Sequence, residues 1–361
     1  MTAPQGVRAT PSGGHESSGS EASQAFGDRL ARLVDQRRSQ LVLGLDPDPA
    51  RLWPEAVELA GGAGEMPAPP GTVPQMPAAS GAAPPAPTSA GDAPGMSPDP
   101  VAARAARAVL EHCRLAIESA GQECVAVKLQ VACFERLGGA GWAALARAVD
   151  HARDAGLLVI ADAKRGDVSV TAAAYAQAFF GVTPTPFGPV AGLGADALTV
   201  NPLLGEDSLQ PLLDAARRAG AGLVVLVRTS NPGAEDLQET TLAGGGSLSE
   251  RLAGLVDRLG AGGVGACGLS DVGAVVGATA PERLARMREL MPHTVFLLPG
   301  VGAQGGRVED LAPAFAPGRA GGLISASRSI VFAHERDGGD PAAAARQEAA
   351  RLRELAWSIS R

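Results

Sequence analysis

"VIADAKRGDVSVTA", residues Val159–Ala172, runs an apolar segment straight into four charges, Asp162, Lys164, Arg165 and Asp167, crowded into six positions. The apolar half has the near-continuous hydrophobic character of a parallel strand buried on both faces. The charged half reads either as a loop meeting water or as chemistry at the carboxyl end of a strand. Taken alone, the stretch leaves these two readings evenly matched. Side chains at i and i+2 of a strand share a face, so Asp162 and Lys164 are expected to project together.

The same kind of apolar run recurs along the chain. "LVLGLD" (41–46), "CVAVKLQ" (124–130) and "LLVIADAK" (157–164) are followed by "ALTVNP" (197–202) and "GLVVLVRTS" (222–230). "VGAVVGAT" (272–279), "TVFLLPGVG" (294–302) and "GLISASRSI" (322–330) complete the set. Helical periodicity lies between them. Phe26, Leu30, Leu33 and Val34 form one stripe, and Leu110, Cys113 and Ile117 form another that ends at Gly121, a suitable C′ residue. "GWAALARAVDHARDAG" (141–156) and "LSERLAGLVDRLG" (248–260) repeat the pattern. Eight strand–helix alternations predict an α/β fold, a (β/α)8 TIM barrel. An open doubly wound sheet is the alternative, but the turn after the first strand, "GLDPDPARLW", lacks the Gly-rich phosphate loop of that fold.

Two segments stand outside this rhythm. Residues 1–24, rich in Ser, Gly, Ala and Thr, read as a disordered tail. Residues 61–100 hold 11 of the 28 prolines and no Lys or Arg, and read as a flexible surface insertion. One barrel domain over 25–361, interrupted by that insertion, is the expected organisation.

Composition narrows the function classes. A net charge of −7 without a basic block argues against nucleic acid as a partner. No apolar run approaches the roughly 18 residues of a membrane span, and the N-terminus has no apolar signal region. Four cysteines, at 113, 124, 133 and 267, form no C-x-x-C pair and have no His cluster beside them, so neither a metal site nor a disulfide framework is expected. A reducing cytoplasm is the expected compartment.

In a barrel of this kind the active site lies at the C-terminal strand ends. Those ends are polar almost throughout: Asp46, Lys128, Asp162 with Lys164, Asn201, then Arg228, Thr229 and Ser230, then Thr279. The seventh strand runs into "PGVGAQGG" and the eighth into Ser327 and Arg328. Lys128 comes from the strand next to Asp162 and can reach the same place. Two lysines around one carboxylate suit a reaction in which negative charge develops, and Lys164 could donate a proton to a carbanion. The glycines of 298–306 and the guanidinium of Arg328 sit at the two strand ends where such barrels hold phosphate.

These stretches, in this order, resemble the orotidine 5'-phosphate decarboxylase family, in its longer bacterial (type 2) subfamily. The resemblance rests on "GLDPDP" (44–49), "VKLQVACFERLG" (127–138), "DAKRGDVSVTAAAY" (162–175) and "TVNPLLG" (199–205). It continues through "RTSNPGAEDLQ" (228–238), "VVGAT" (275–279), "PGVGAQGG" (299–306) and "SRSI" (327–330). It implies cofactor-free and metal-free loss of CO2 from orotidine 5'-monophosphate to give uridine 5'-monophosphate. Asp46 would hydrogen-bond the ribose, Lys128 would complete the catalytic charge network and contact the ribose, Asp162 would face the substrate carboxylate, and Lys164 would be the proton donor. Ser230 would bind the pyrimidine edge, Pro299 would line the pocket, and Gln304 and Arg328 would hold the phosphate, with Ser327 beside them. Asp167, Val168 and Thr171 would reach into the partner's site of a homodimer. Val168 stands where Ile is common, and Ser327 where many members have Gly. Related phosphate-binding barrels, such as hexulose-phosphate synthases and ribulose-phosphate epimerases, usually use a metal. Here the five His, at 15, 112, 151, 293 and 334, fall in tail, helix or loop segments rather than at strand ends. A non-catalytic nucleotide-binding barrel is the remaining alternative.

Overall fold

The computed structural model describes residues 25–62 and 99–360. The expected tail 1–24 and nearly all of the insertion lie outside the described residues. Eight strands form one closed, all-parallel barrel: β1 Leu41–Leu45, β2 Ala126–Gln130, β3 Leu158–Arg165, β4 Ala197–Val200, β5 Gly222–Arg228, β6 Val272–Val276, β7 Phe296–Pro299 and β8 Gly322–Ala326. Each pairs with its sequence neighbours, and β8 closes on β1 through Leu41↔Ile324 and Leu43↔Ala326. The fold is the (β/α)8 barrel.

Strand alternation divides the apolar side chains into two bodies. Inward residues Val42, Ala126, Ile160, Ala197, Val224, Val275, Leu297 and Leu323 form one cluster. Phe26, Leu30 and Val34 of the helix Phe26–Arg37 join them. That helix lies across the N-terminal strand ends, where Arg29 donates to the Gly220 carbonyl and Phe26 packs where a side chain on Gly222 would otherwise stand. It stops the barrel floor, so the opening is left at the other end. Outward residues such as Leu43, Leu129, Val159, Leu198 and Val276 pack under the surrounding helices.

The helix boundaries follow local chemistry. Ser247 and Glu250 make a reciprocal capping box at the start of Leu248–Gly260. Asp99 caps Pro100–Ala120 through Val101 N–H, with Pro100 in the first turn. The last two residues of the predicted insertion therefore begin a helix, because proline is compatible with that position. Gly121 does not act as a left-handed C′ residue: its φ is −61°, and it opens a 3₁₀ turn, Gly121–Glu123.

Other departures lie in the connections. Between β3 and β4, a helix Ser169–Phe179 is followed by a short antiparallel pair, Val182–Thr183 with Val190–Ala191. The β7–β8 connection is a 3₁₀ helix, Val308–Phe315, with Pro313 inside it, rather than an α-helix. Past β8, helix Pro341–Ile359 packs on Pro100–Ala120 and closes the outer ring. No described helix is long and apolar enough to cross a membrane.

Candidate active site

The inward positions turn polar toward the C-terminal strand ends and enclose a cavity of about 480 Å³. Register places Gln130 of β2 opposite Asp162 of β3. Asp162 is only 5% exposed. Lys128 Nζ donates to its Oδ2 at 2.7 Å, and Gln130 Nε2 reaches the same oxygen at 3.3 Å. Lys164 Nζ and Thr199 Oγ1 donate to Oδ1 at 2.6 and 2.8 Å. Two donors on each oxygen fill the acceptor capacity of one carboxylate. Lys128 also reaches Asp46 at 3.5 Å.

Burial opposes the charge on Asp162, but Lys128 and Lys164 override it and hold the carboxyl well below the usual carboxylate range. Burial also works against the Lys128 ammonium. Asp162 and Asp46 outweigh it and raise Lys128 above the ordinary lysine range. Each charge is thus maintained by its neighbours, as a desolvated ion cluster requires.

Asp162 and Lys164 do converge, but not along a regular pleat. The β3–β4 register slips between Ala161 and Arg165, since Ala161 pairs with Leu198 and Arg165 with Val200. This bulge frees the Lys164 N–H from the backbone ladder. Lys164 takes a left-handed φ of +49°, a strained conformation for a lysine of a kind that gathers at functional sites.

The opposite wall comes from the last strands. Pro299, Gln304, Ser327 and Arg328 line the cavity together with Ser230. Gly300 has φ +103°, and an added Cβ would lie 3.1–3.3 Å from Thr279, Ser230 and Gln304, so no larger residue fits without moving them. Gly44 makes room in the same way: an added Cβ would stand 2.7 Å from Ser327 Cβ. Arg328 opens the short helix Arg328–Val331 and has no carboxylate within ion-pairing distance among the described residues. An unpaired guanidinium beside a glycine loop is suited to an anion.

Asp46, Lys128, Asp162, Lys164, Ser230, Pro299, Gln304, Ser327 and Arg328 are therefore gathered around one cavity. Asp167, Val168 and Thr171 do not line it. Asp167 accepts from Val168 N–H at 2.8 Å, and Val168 is 62% exposed. Three polar strand ends have structural rather than cavity positions. Asn201 closes a turn by accepting from Leu203 N–H at 3.0 Å. Arg228 is buried against Glu239 at 2.9 Å. Thr279 donates to the Ser230 carbonyl at 3.3 Å from an exposed position. Arg165, from the opening stretch, pairs with Glu135 and lies over the Tyr175 ring.

Residue reading overlooked Gln130, Thr199, Asn231 and Gln238, all of which line the cavity. The signal for the first two was present. Gln130 lies two residues after Lys128, and Thr199 two after the inward Ala197. No group of three His, Cys, Asp or Glu that could hold a metal ion occurs among the described residues.

Comparison with known proteins points the same way as the geometry. The profile of the orotidine 5'-phosphate decarboxylase / HUMPS family matches residues 104–347. An orotidine 5'-phosphate decarboxylase of Rhodopirellula baltica is 44% identical over 239 residues, covering 66% of this chain and 76% of the relative. One from Deinococcus radiodurans is 46% identical over 239 residues, covering 66% and 81%. The solved Leishmania donovani OMP decarboxylase superposes with a TM-score of 0.62 at 29% identity, over 92% of this chain and 99% of that one. With the barrel, the charge cluster at its mouth and these relatives in agreement, the chain belongs to the orotidine 5'-phosphate decarboxylase / HUMPS family.

Proposed function

We propose that this chain is an orotidine 5'-phosphate decarboxylase of the longer bacterial subfamily, acting on orotidine 5'-monophosphate without a metal or organic cofactor. The observation that carries the reading is Asp162, held between two ammonium groups at one wall of a cavity whose other wall offers unpaired Arg328. In the reaction, the bond from C6 to the carboxylate breaks and its electron pair stays on C6. CO2 leaves, and a proton passes from Lys164 Nζ to C6. Water then reprotonates the amine, so one substrate and one proton give uridine 5'-monophosphate and CO2. Asp162 faces the departing carboxylate, while Lys164 stabilises charge as it develops. Asp46 and Lys128 hold the ribose, Ser230 the pyrimidine edge, and Gln304, Ser327 and Arg328 the phosphate. Pro299 forms part of the pocket wall. Phosphate binding would draw the 300–306 loop closed over the substrate.

The same reading makes the active form a cytoplasmic homodimer with shared sites. Asp167, Val168 and Thr171 serve the neighbouring cavity. Exposed apolar residues flank them, with Val170 at 84% and Leu203 at 74% exposure on the segments leaving adjacent strands β3 and β4. Such a patch supports a self-complementary contact. The four cysteines are all free, as a reducing compartment requires.

The test is direct. Purified protein is given orotidine 5'-monophosphate with no added metal, and pyrimidine absorbance and released CO2 are followed. Folded protein that shows no turnover would remove the proposal.

A further inference from the structure

We infer that Thr199 is a positioning residue for the Asp162–Lys164 pair, acting through a single hydroxyl that bonds to both. The inference rests on the catalytic reading of those two residues given above.

The argument begins with the bulge. Between the pairs Ala161↔Leu198 and Arg165↔Val200, β3 inserts residues that β4 does not match. A bulge of this kind leaves a ladder N–H without its carbonyl, and here the N–H belongs to Lys164. A backbone donor partly shielded from water is costly to leave without an acceptor, and here a side chain supplies one. Lys164 N donates to Thr199 Oγ1 at 3.0 Å. The hydroxyl has one proton to give in return, and gives it to Asp162 Oδ1 at 2.8 Å. Thr199 is 1% exposed, so water does not compete for either bond.

Both bonds bear on reactive geometry. The first holds the left-handed backbone of Lys164, φ +49°, and so sets where its ammonium stem begins. The second fixes the carboxylate plane of Asp162, because the other donor to Oδ1 is Lys164 Nζ itself. Thr199 thus ties the root of Lys164 to the group its tip contacts. Threonine suits the task because its branched side chain has few χ1 choices on a strand. Lys128 and Gln130, on the other oxygen, can hold Asp162 in place but cannot hold the Lys164 backbone.

The variants are Thr199→Val, which keeps the shape and removes the hydroxyl, and Thr199→Ser, which restores it. Steady-state kinetics with orotidine 5'-monophosphate and amide hydrogen exchange at Lys164 are measured on both and on the unaltered chain. In Thr199→Val, kcat is expected to fall about 10- to 100-fold with KM within about threefold, the signature of lost alignment rather than lost binding. Exchange at the Lys164 amide accelerates at least tenfold, and Thr199→Ser recovers most of both. Unchanged kcat in Thr199→Val against an active parent overturns the inference. So does a loss in KM and kcat that serine does not repair, since that pattern belongs to packing alone. An inactive parent instead overturns the decarboxylase reading. In that case unchanged exchange at Lys164 in Thr199→Val still decides against the hydrogen bond that carries this inference.

Discussion

Lys128 and Lys164 flank the same carboxylate, yet the structure gives them different burdens. The Lys128 side chain is 9% exposed and that of Lys164 44%. Removing Lys128 leaves a buried, ionised Asp162 short of its main partner, which costs about 3–5 kcal/mol. Removing Lys164 takes away a half-exposed partner, and solvent screening keeps the loss near or below about 1 kcal/mol. Lys164→Ala is therefore expected to fold normally while turnover falls by roughly 10³-fold or more, whereas Lys128→Ala loses both activity and stability. Urea unfolding beside steady-state assays separates the two, and near-normal turnover in Lys164→Ala would show that the proton comes from elsewhere. A second residue, His112, is expected to contribute to the pH dependence of stability. His112, 2% exposed, accepts from Trp53 N–H at 3.1 Å and is packed against the Trp53 and Phe332 rings. Burial, with the nearby His334, pushes it down to about 4. The folded chain keeps His112 neutral where the unfolded chain, titrating near 6.5, takes up a proton. Its contribution is complete above about pH 6.5 and is lost as pH falls toward 4, about 3 kcal/mol in all. Asp162, held low, loses its contribution only in stronger acid. Unfolding free energies at pH 7.5, 5.5 and 4.5 should fall less steeply for His112→Gln than for the parent, and parallel curves would refute the assignment.

The strands were legible because burial on both faces leaves an unbroken apolar run, and each run contains its strand except the third, where β3 extends one residue past 157–164 to Arg165. Six of them extend too far at the C-terminal end: 41–46 against Leu41–Leu45, 197–202 against Ala197–Val200, 222–230 against Gly222–Arg228, 272–279 against Val272–Val276, 294–302 against Phe296–Pro299, and 322–330 against Gly322–Ala326. The cause is physical. Site residues follow these strands directly, in loops whose glycines and small side chains resemble strand composition. The Asp162–Lys164 pairing was also legible, but the bulge beside it was not, because two extra residues on β3 keep the period-2 alternation intact. The inward direction of Thr199 was legible from its spacing to Ala197, but its bond to the Lys164 N–H was not, because that depends on a register known only once β3 and β4 are paired. The 182–191 pair, built around Pro184, Pro186 and Pro189, carried the composition of a loop. Packing between β1 and the chain leaving β8 supplies a prediction at this scale. Any Cβ at Gly44 would stand 2.7 Å from Ser327 Cβ and 3.3 Å from its Cα. Gly44→Ala must therefore displace the chain that delivers Ser327 and Arg328. If those residues hold the phosphate, KM should rise at least tenfold with a smaller loss in kcat. Inorganic phosphate or uridine 5'-monophosphate should likewise inhibit more weakly. An unchanged KM would mean that the β8 end yields freely or does not grip phosphate.

At the scale of the whole molecule, one chain gathers nine of its twelve proposed residues around its own cavity and leaves three, Asp167, Val168 and Thr171, outside it. Asp162 and Lys164 face inward, while Asp167 and Val168, a few positions later, leave the barrel mouth. A solvated loop would give the second group no task. A two-fold dimer gives it one, because an isologous contact brings the same surface patch of each subunit to the other. The consequence can be tested without a structure of the pair. Lys164→Ala chains lack the proposed proton donor, and Asp167→Ala chains lack the group proposed to serve the neighbour, so each variant alone is expected to be inactive. When the two are mixed in equal amounts and allowed to exchange, a heterodimer contains one site with both losses and one site with neither. Random pairing then restores about a quarter of the activity of the unaltered protein. Native mass spectrometry establishes that exchange has occurred. Recovery near that level requires Asp167 to act across the contact. An exchanged mixture that stays inactive places Asp167 in the same site as Lys164 and removes the shared-site reading, while the chemistry proposed for Lys164 stands or falls on its own assay.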